Sequence, residues 1–193
     1  MRVRGPRIRH GLDSETSGVA PEERRALDHL FSVTYEELRR LASSVRRGDP
    51  SATLSPTALV NEAWLKLAGS PQIAGASRLH FKRIAARAMR QVLIEAARRR
   101  HANKRGGGDV VHVTFDPSVD LAPSTSDDLL ALDRALDELA RIEPRQATMV
   151  ESRFFGGLDV TETAALLEVS EATILRDWRA AKAWLAHELR GAR

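Results

Sequence analysis

The sequence predicts an all-α protein, two small helical domains joined by a flexible linker. Three observations carry that prediction. Apolar residues recur at three- and four-residue steps through nearly the whole chain. One stretch rich in glycine, proline, serine and aspartate, residues 104–126, interrupts them. The periods at the C-terminal end run as a short helix, a tight turn and a longer basic helix, the pattern of a helix-turn-helix.

Residues 1–22 carry Arg2, Arg4, Arg7 and Arg9 and read as a basic, flexible, non-specific arm. No apolar run follows it, so a signal peptide is not expected. Residues 23–103 form the first predicted domain. Leu27, Leu30, Phe31, Leu38, Leu41 and Val45 mark its first helix, ending near Gly48-Asp49-Pro50. Ser55-Pro56 is a start signal, with serine as N-cap and proline at the first helical position. Leu59, Val60, Ala63, Trp64 and Leu67 make one stripe on that second helix, and Gly69-Ser70-Pro71 stops it. A long third helix should run from about 79 to about 102, with Ile84, Ala88, Val92 and Ala96 as its buried stripe.

Lys104-Arg105-Gly106-Gly107-Gly108 ends this order and opens the linker, 104–126. Its segment 110–115 has strand-forming residues but no evident partner, so an extended linker is the expectation there. Residues 127–193 form the second predicted domain. Leu129, Leu132, Leu136, Leu139 and Ile142 give its first apolar stripe. Pro144 opens a second helix with Val150 and Phe154 facing in, closed by Gly156-Gly157. Asp159 then caps a short helix, with Glu162 three residues on as in a capping box. Ala164, Leu166 and Leu167 supply its apolar side. After Val169, Ser170 caps the last helix, whose apolar positions Ile174, Trp178, Ala181 and Leu185 fall at i, i+4, i+7 and i+11. That spacing makes Trp178 and Trp184 core residues rather than stacking platforms.

Charge narrows the class of partner. Net charge is only +4, but the charges are sorted. Between 78 and 105 stand Arg78, Lys82, Arg83, Arg87, Arg90, Arg98, Arg99, Arg100, Lys104 and Arg105 against a single Glu95. Between 116 and 143 the sign reverses: Asp116, Asp120, Asp127, Asp128, Asp133, Asp137, Glu138 and Glu143 against Arg134 and Arg141. The basic block is the electrostatic footprint of a polyphosphate partner. The acidic stretch is either held off that partner or faces a basic protein surface. With no cysteine, disulfides and thiolate metal sites are excluded, which suits a reducing cytoplasm. The six histidines show no ligand spacing, and Asp and Glu do not cluster with them. No metal, cofactor or catalytic residue is therefore expected, nor any membrane span.

The last two helices alone leave two readings open. They could be an ordinary antiparallel pair with a solvated basic face, or a DNA reader whose second helix enters the major groove with Thr173, Arg176, Arg179 and Lys182 outward.

Three stretches decide between them by resemblance. Residues 55–67, SPTALVNEAWLKL, and 81–100, FKRIAARAMRQVLIEAARRR, resemble conserved helices of bacterial RNA polymerase sigma factors, in the extracytoplasmic-function (ECF) class of the sigma-70 family. Residues 142–189 are similar to that family's C-terminal helix-turn-helix domain, through Ile142-Glu143-Pro144, Arg153-Phe154-Phe155-Gly156-Gly157-Leu158, Thr173-Ile174 and Ala180-Ala181-Lys182. The resemblance covers roughly 25–103 and 127–190. It implies a sigma2-like helical bundle and a sigma4-like helix-turn-helix domain.

The same resemblance implies roles. Leu59, Asn61, Glu62, Leu65 and Lys66 lie on the helix that docks on core RNA polymerase. Arg87, Arg90, Gln91, Arg98, Arg99 and Arg100 lie on the element that opens and reads the minus-ten promoter sequence. Glu171, Ala172, Thr173, Arg176, Arg179 and Lys182 lie on the helix that reads the minus-thirty-five element. Arg145 and Arg153 are expected to buttress the fold or touch backbone phosphates. Three positions depart from the family pattern. Ala58 replaces an aspartate, Ile84 replaces a tryptophan and so removes an aromatic surface, and Glu168 replaces a glycine at the turn. If the backbone at Glu168 is left-handed, the side chain costs about 1 kcal/mol.

The implied protein is a dissociable, non-enzymatic initiation factor of the cytoplasm, with core RNA polymerase and promoter DNA as partners. An anti-sigma factor or other regulator is a further partner of that class. The alternative is a stand-alone helix-turn-helix regulator acting as a dimer without polymerase. A nucleic-acid-processing enzyme would need clustered metal ligands, and a pure interaction protein leaves the 78–105 basic block unexplained.

Overall fold

A computed structural model of the chain describes residues 21–47, 54–68, 73, 76–103, 113–114, 122–123 and 125–191. The basic arm up to residue 20, the stop signals at 48–50 and 69–71, and most of the linker, with Asp116 and Asp120, lie outside the described residues.

Among the described residues the fold is all-α apart from one small ribbon. Helix α1 spans Pro21–Arg47, α2 Pro56–Leu67 and α3 Arg78–Asn103. Helix α4 spans Ser126–Ile142, α5 Pro144–Phe154, α6 Val160–Leu167 and α7 Glu171–Gly191. The ribbon corrects one expectation. Val113–Thr114 (β1) finds an antiparallel partner in Ala122–Pro123 (β2), with Val113 opposite Pro123 and Thr114 opposite Ala122. The partner lies inside the linker itself and has no strand-like alternation, so nothing local announced it.

Helix starts follow their caps. Ser55 Oγ accepts the Ala58 amide at 3.1 Å, with Pro56 in the first turn. Asp159 and Glu162 close the expected capping box around α6. Thr125 and Asp128 close another around α4, with the Thr125 amide donating to Asp128 Oδ2 at 2.9 Å. The helix itself begins at Ser126, directly after that cap. Ser170 Oγ accepts the Thr173 amide at 3.2 Å and opens α7.

Two apolar cores result, one within α1–α3 and one centred on α4–α7. In the first, Leu27, Leu38, Leu59, Val60, Phe81 and Met89 are buried, and Phe31 stacks on Trp64 with ring centroids 4.4 Å apart. In the second, Leu132, Leu136, Leu139, Met149, Val150, Phe155, Ile174 and Leu185 are buried. Ile142 is a correction: the stripe of α4 ends at Leu139, and Ile142 is 56% exposed at the helix end.

Helix α3 serves both cores. Phe81, Ala85, Ala88, Met89 and Val92 face α1 and α2, while Ala86, Ile94 and Ala97 face the second group of helices. Small side chains permit the close approach. A methyl group at Gly156, just past α5, would lie 3.0 Å from Ala86 Cβ and 2.5 Å from the Ser152 carbonyl oxygen. Gly157 beside it takes the left-handed φ of +64° that closes α5. A buried cation adds to the join. Lys82 is 3% exposed, and its ammonium lies 2.8 Å from Glu162 of α6 and 3.3 Å from Glu37 of α1.

Candidate nucleic-acid interface

Part of the basic block falls on α3 as an outward stripe. Arg87, Gln91 and Arg98, at i, i+4 and i+11, are exposed along it, and Arg83 one turn earlier extends it. Arg83 belongs to the basic block in sequence but was not singled out there; its i−4 relation to Arg87 was the available signal. Arg99 is exposed on an adjoining face, and Arg100 is half-buried.

Arg90 departs from the expectation. It is not displayed to solvent but turned against α4 and α5, with its side chain 14% exposed. Its Nε donates to Asp133 Oδ1 at 2.9 Å, its Nη2 to Asp137 Oδ1 at 2.6 Å, and its Nη1 to Glu151 Oε1 at 3.3 Å. Burial alone would disfavour the charge. The carboxylates of Asp133, Asp137 and Glu151 outweigh it and hold the guanidinium above its ordinary pKa. Arg98 approaches the same Asp133 at 3.5 Å while staying 67% exposed. Of the two readings of the acidic stretch, the one facing a basic protein surface describes α4 here. A cleft of about 240 Å³ lies along this seam, lined by Arg87, Gln91 and Arg98 from α3 and by Asp133, Asp137 and Glu151 opposite.

The helix-turn-helix is built as its caps required. The turn places Glu168 at φ 55°, ψ 43°, the left-handed conformation its non-glycine identity makes costly. On α7, Ile174, Ala181 and Leu185 are buried and Trp178 is half-buried, so the opposite side stands outward. Glu171, Ala172, Arg176 and Arg179 are exposed on that side. Thr173 is half-buried, its hydroxyl 2.9 Å from Ser170 Oγ, so it belongs to the cap as well as to the face. Glu171 accepts the Thr161 hydroxyl at 2.7 Å, pinning α6 to the start of α7. Lys182 is half-buried three turns on. Leu175, 44% exposed among these polar residues, was not singled out from the sequence. Its place off the Ile174–Trp178 seam was the signal that could have marked it.

The two further arginines are structural. Arg145 pairs with the buried Asp177 at 2.7 Å, and the Arg153 guanidinium lies 4.3 Å from the centroid of the Trp178 ring. Both hold α5 against α7.

These two basic helical faces lie within one matched span: the family model described as ECF sigma factor matches residues 17–191. The chain belongs to the ECF sigma factors. No curated protein and no solved structure matches it. Sigma factors are non-catalytic regulators of transcription, so the surfaces of this sigma factor are to be read as binding surfaces. No helix among its described residues is long and apolar enough to cross a membrane.

The α2 face needs one correction in this sigma factor. Leu59, expected on the outward side of that helix, is 2% exposed and lies in the first core. Asn61 and Glu62 are exposed, and Leu65 is the most exposed large hydrophobic among the described residues, at 68%. Lys66 is partly tied down, its ammonium 2.8 Å from Glu95 of α3. Ile84, in place of the family's tryptophan, is half-buried against the first core.

Proposed function

We propose that this sigma factor binds core RNA polymerase through the Asn61, Glu62 and Leu65 face of α2, engages and melts the minus-ten element with α3, and reads the minus-thirty-five element with α7. The observation that carries this reading is the pair of outward basic faces on separate helical groups of one ECF chain: Arg87, Gln91, Arg98 and Arg99 on α3, Arg176 and Arg179 on α7. The corresponding units are residues 23–103 and 127–193, with 104–126 as the tether. Phosphate neutralisation by either face alone gives weak, salt-sensitive binding. Tethering both raises the effective concentration of the second once the first is bound, and polymerase fixes the spacing.

The arrangement of Arg90 adds a requirement. Its guanidinium reaches phosphate only after α4 has parted from α3, so engagement of the minus-ten element involves opening of the seam. Polymerase binding at α2 leaves the carboxylates around Arg90 untouched, and the negatively charged promoter competes with them directly.

Reconstitution with core polymerase tests the reading. Transcript starts absent with core alone are expected, and substituting Leu65 by Arg should reduce them without unfolding the protein. A chain that ignores core polymerase and binds a palindromic duplex unaided as a dimer would sink the proposal.

A further inference from the structure

Four large hydrophobic side chains stand exposed among the described residues: Val33, Leu65, Ile142 and Leu175. Leu175 alone of these lies on the outward face of α7. It is the fifth residue of that helix, one turn past Ala172 and beside Arg176 and Arg179. It takes no part in either apolar core, whose α7 seam runs through Ile174, Ala181, Leu185 and Leu189. A leucine here stands outside both cores and presents an isobutyl group to solvent on the face that also carries Arg176 and Arg179.

We propose that Leu175 is a specificity-determining residue that contacts the 5-methyl group of a thymine in the minus-thirty-five element, with Ala172 completing the apolar contact. The assignment rests on the DNA-reading role proposed for α7 and deepens it. In the major groove, thymine differs from cytosine in offering an apolar methyl group beside an acceptor oxygen, and an aliphatic side chain is the complement to that methyl. The first turns of a recognition helix are the part that reaches base edges. Arg176, whose side chain is 73% exposed, and Arg179 supply the charge that draws this face to the duplex. A cation face without Leu175 would hold phosphate and guanine; with it, the face also rejects a pyrimidine that lacks the methyl.

The test removes only that methyl. The holoenzyme is used to select duplexes from a library randomised across the upstream promoter region, and each thymine of the selected element is then replaced by deoxyuridine. At one position at least, the replacement should weaken holoenzyme binding by about fourfold, the worth of one buried methyl group. Leu175→Ala should bind thymine and uracil duplexes equally, while Leu175→Met restores the difference. If wild type binds every uracil duplex as well as its thymine parent, if no thymine is selected, or if Leu175→Ala keeps the discrimination, the assignment falls. Arg176→Ala separates the two levels. It should weaken binding to all selected duplexes. Should it change nothing, and should selection yield no upstream preference, the role of α7 itself fails together with that of Leu175.

Discussion

Glu168 shows how one residue can carry a measurable cost. Among the described residues it is the only non-glycine with positive φ. The turn between α6 and α7 needs that conformation because the Val169 amide must reach back to the Ala164 carbonyl, at 3.1 Å, to end α6. A side chain in the left-handed region crowds the following carbonyl oxygen, and glycine does not. Glu168→Gly is therefore expected to stabilise the protein by about 1 kcal/mol, raising the thermal midpoint by roughly 2–4 °C. Calorimetry that shows an unchanged or lowered midpoint would mean that the glutamate makes a compensating contact. Lys82 works in the opposite sense. Its ammonium is buried, yet the side chains of Glu162 and Glu37 are 26% and 42% exposed and can recover water if it is lost. Lys82→Ala should then cost about 2 kcal/mol, near the range for a hydrogen bond to a charged group and below that for a fully buried pair. Urea unfolding followed by circular dichroism measures it.

At the level of whole helices, legibility divided along a physical line. What local chemistry decides could be read: Ser55, Asp159 and Ser170 cap where the sequence put them, because a cap bond spans three residues. The α7 seam followed because a 3.6-residue period needs no knowledge of the partner helix. Burial imposed by distant chain could not be read. Leu59 lies in a core built by three helices, and Arg90 is covered by carboxylates 43 to 61 residues further along the chain. The second buried face of α3 escaped notice because Ala86 and Ala97 are weak hydrophobic signals that serve close approach rather than bulk. Gly156 is the counterpart of that approach. Gly156→Ala would force a methyl group against the Ser152 carbonyl oxygen and Ala86, so α5 must shift from α3. A destabilisation of about 1–3 kcal/mol is expected, with faster amide exchange along both helices. Unchanged exchange across α3 would show that the contact does not hold the two groups together.

For the whole molecule, the seam between α3 and α4 governs how the two basic faces become available. The α7 face is exposed while Arg90 of α3 is held by Asp133, Asp137 and Glu151, so the proposed upstream reader is open before the proposed melting element is complete. Changing Asp133 and Asp137 to asparagine keeps their shape and removes two of the three charges that compete with phosphate. Opening can be followed directly, because the chain has no cysteine of its own. Introduced cysteines at the exposed positions Ser32 of α1 and Ala165 of α6 accept a pair of distance-reporting labels. In the double asparagine variant the labels should spread to longer distances than in wild type. The holoenzyme should then form promoter complexes more readily, on the order of fivefold for each kcal/mol by which closure is weakened. Arg90→Ala should open the seam as well but lose a phosphate contact, so its promoter complexes gain nothing from the opening. If the asparagine variant keeps the wild-type distance distribution, or opens without improving promoter binding, then α4 packs on α3 without competing with DNA, and minus-ten engagement must proceed from the exposed Arg87, Gln91 and Arg98 alone.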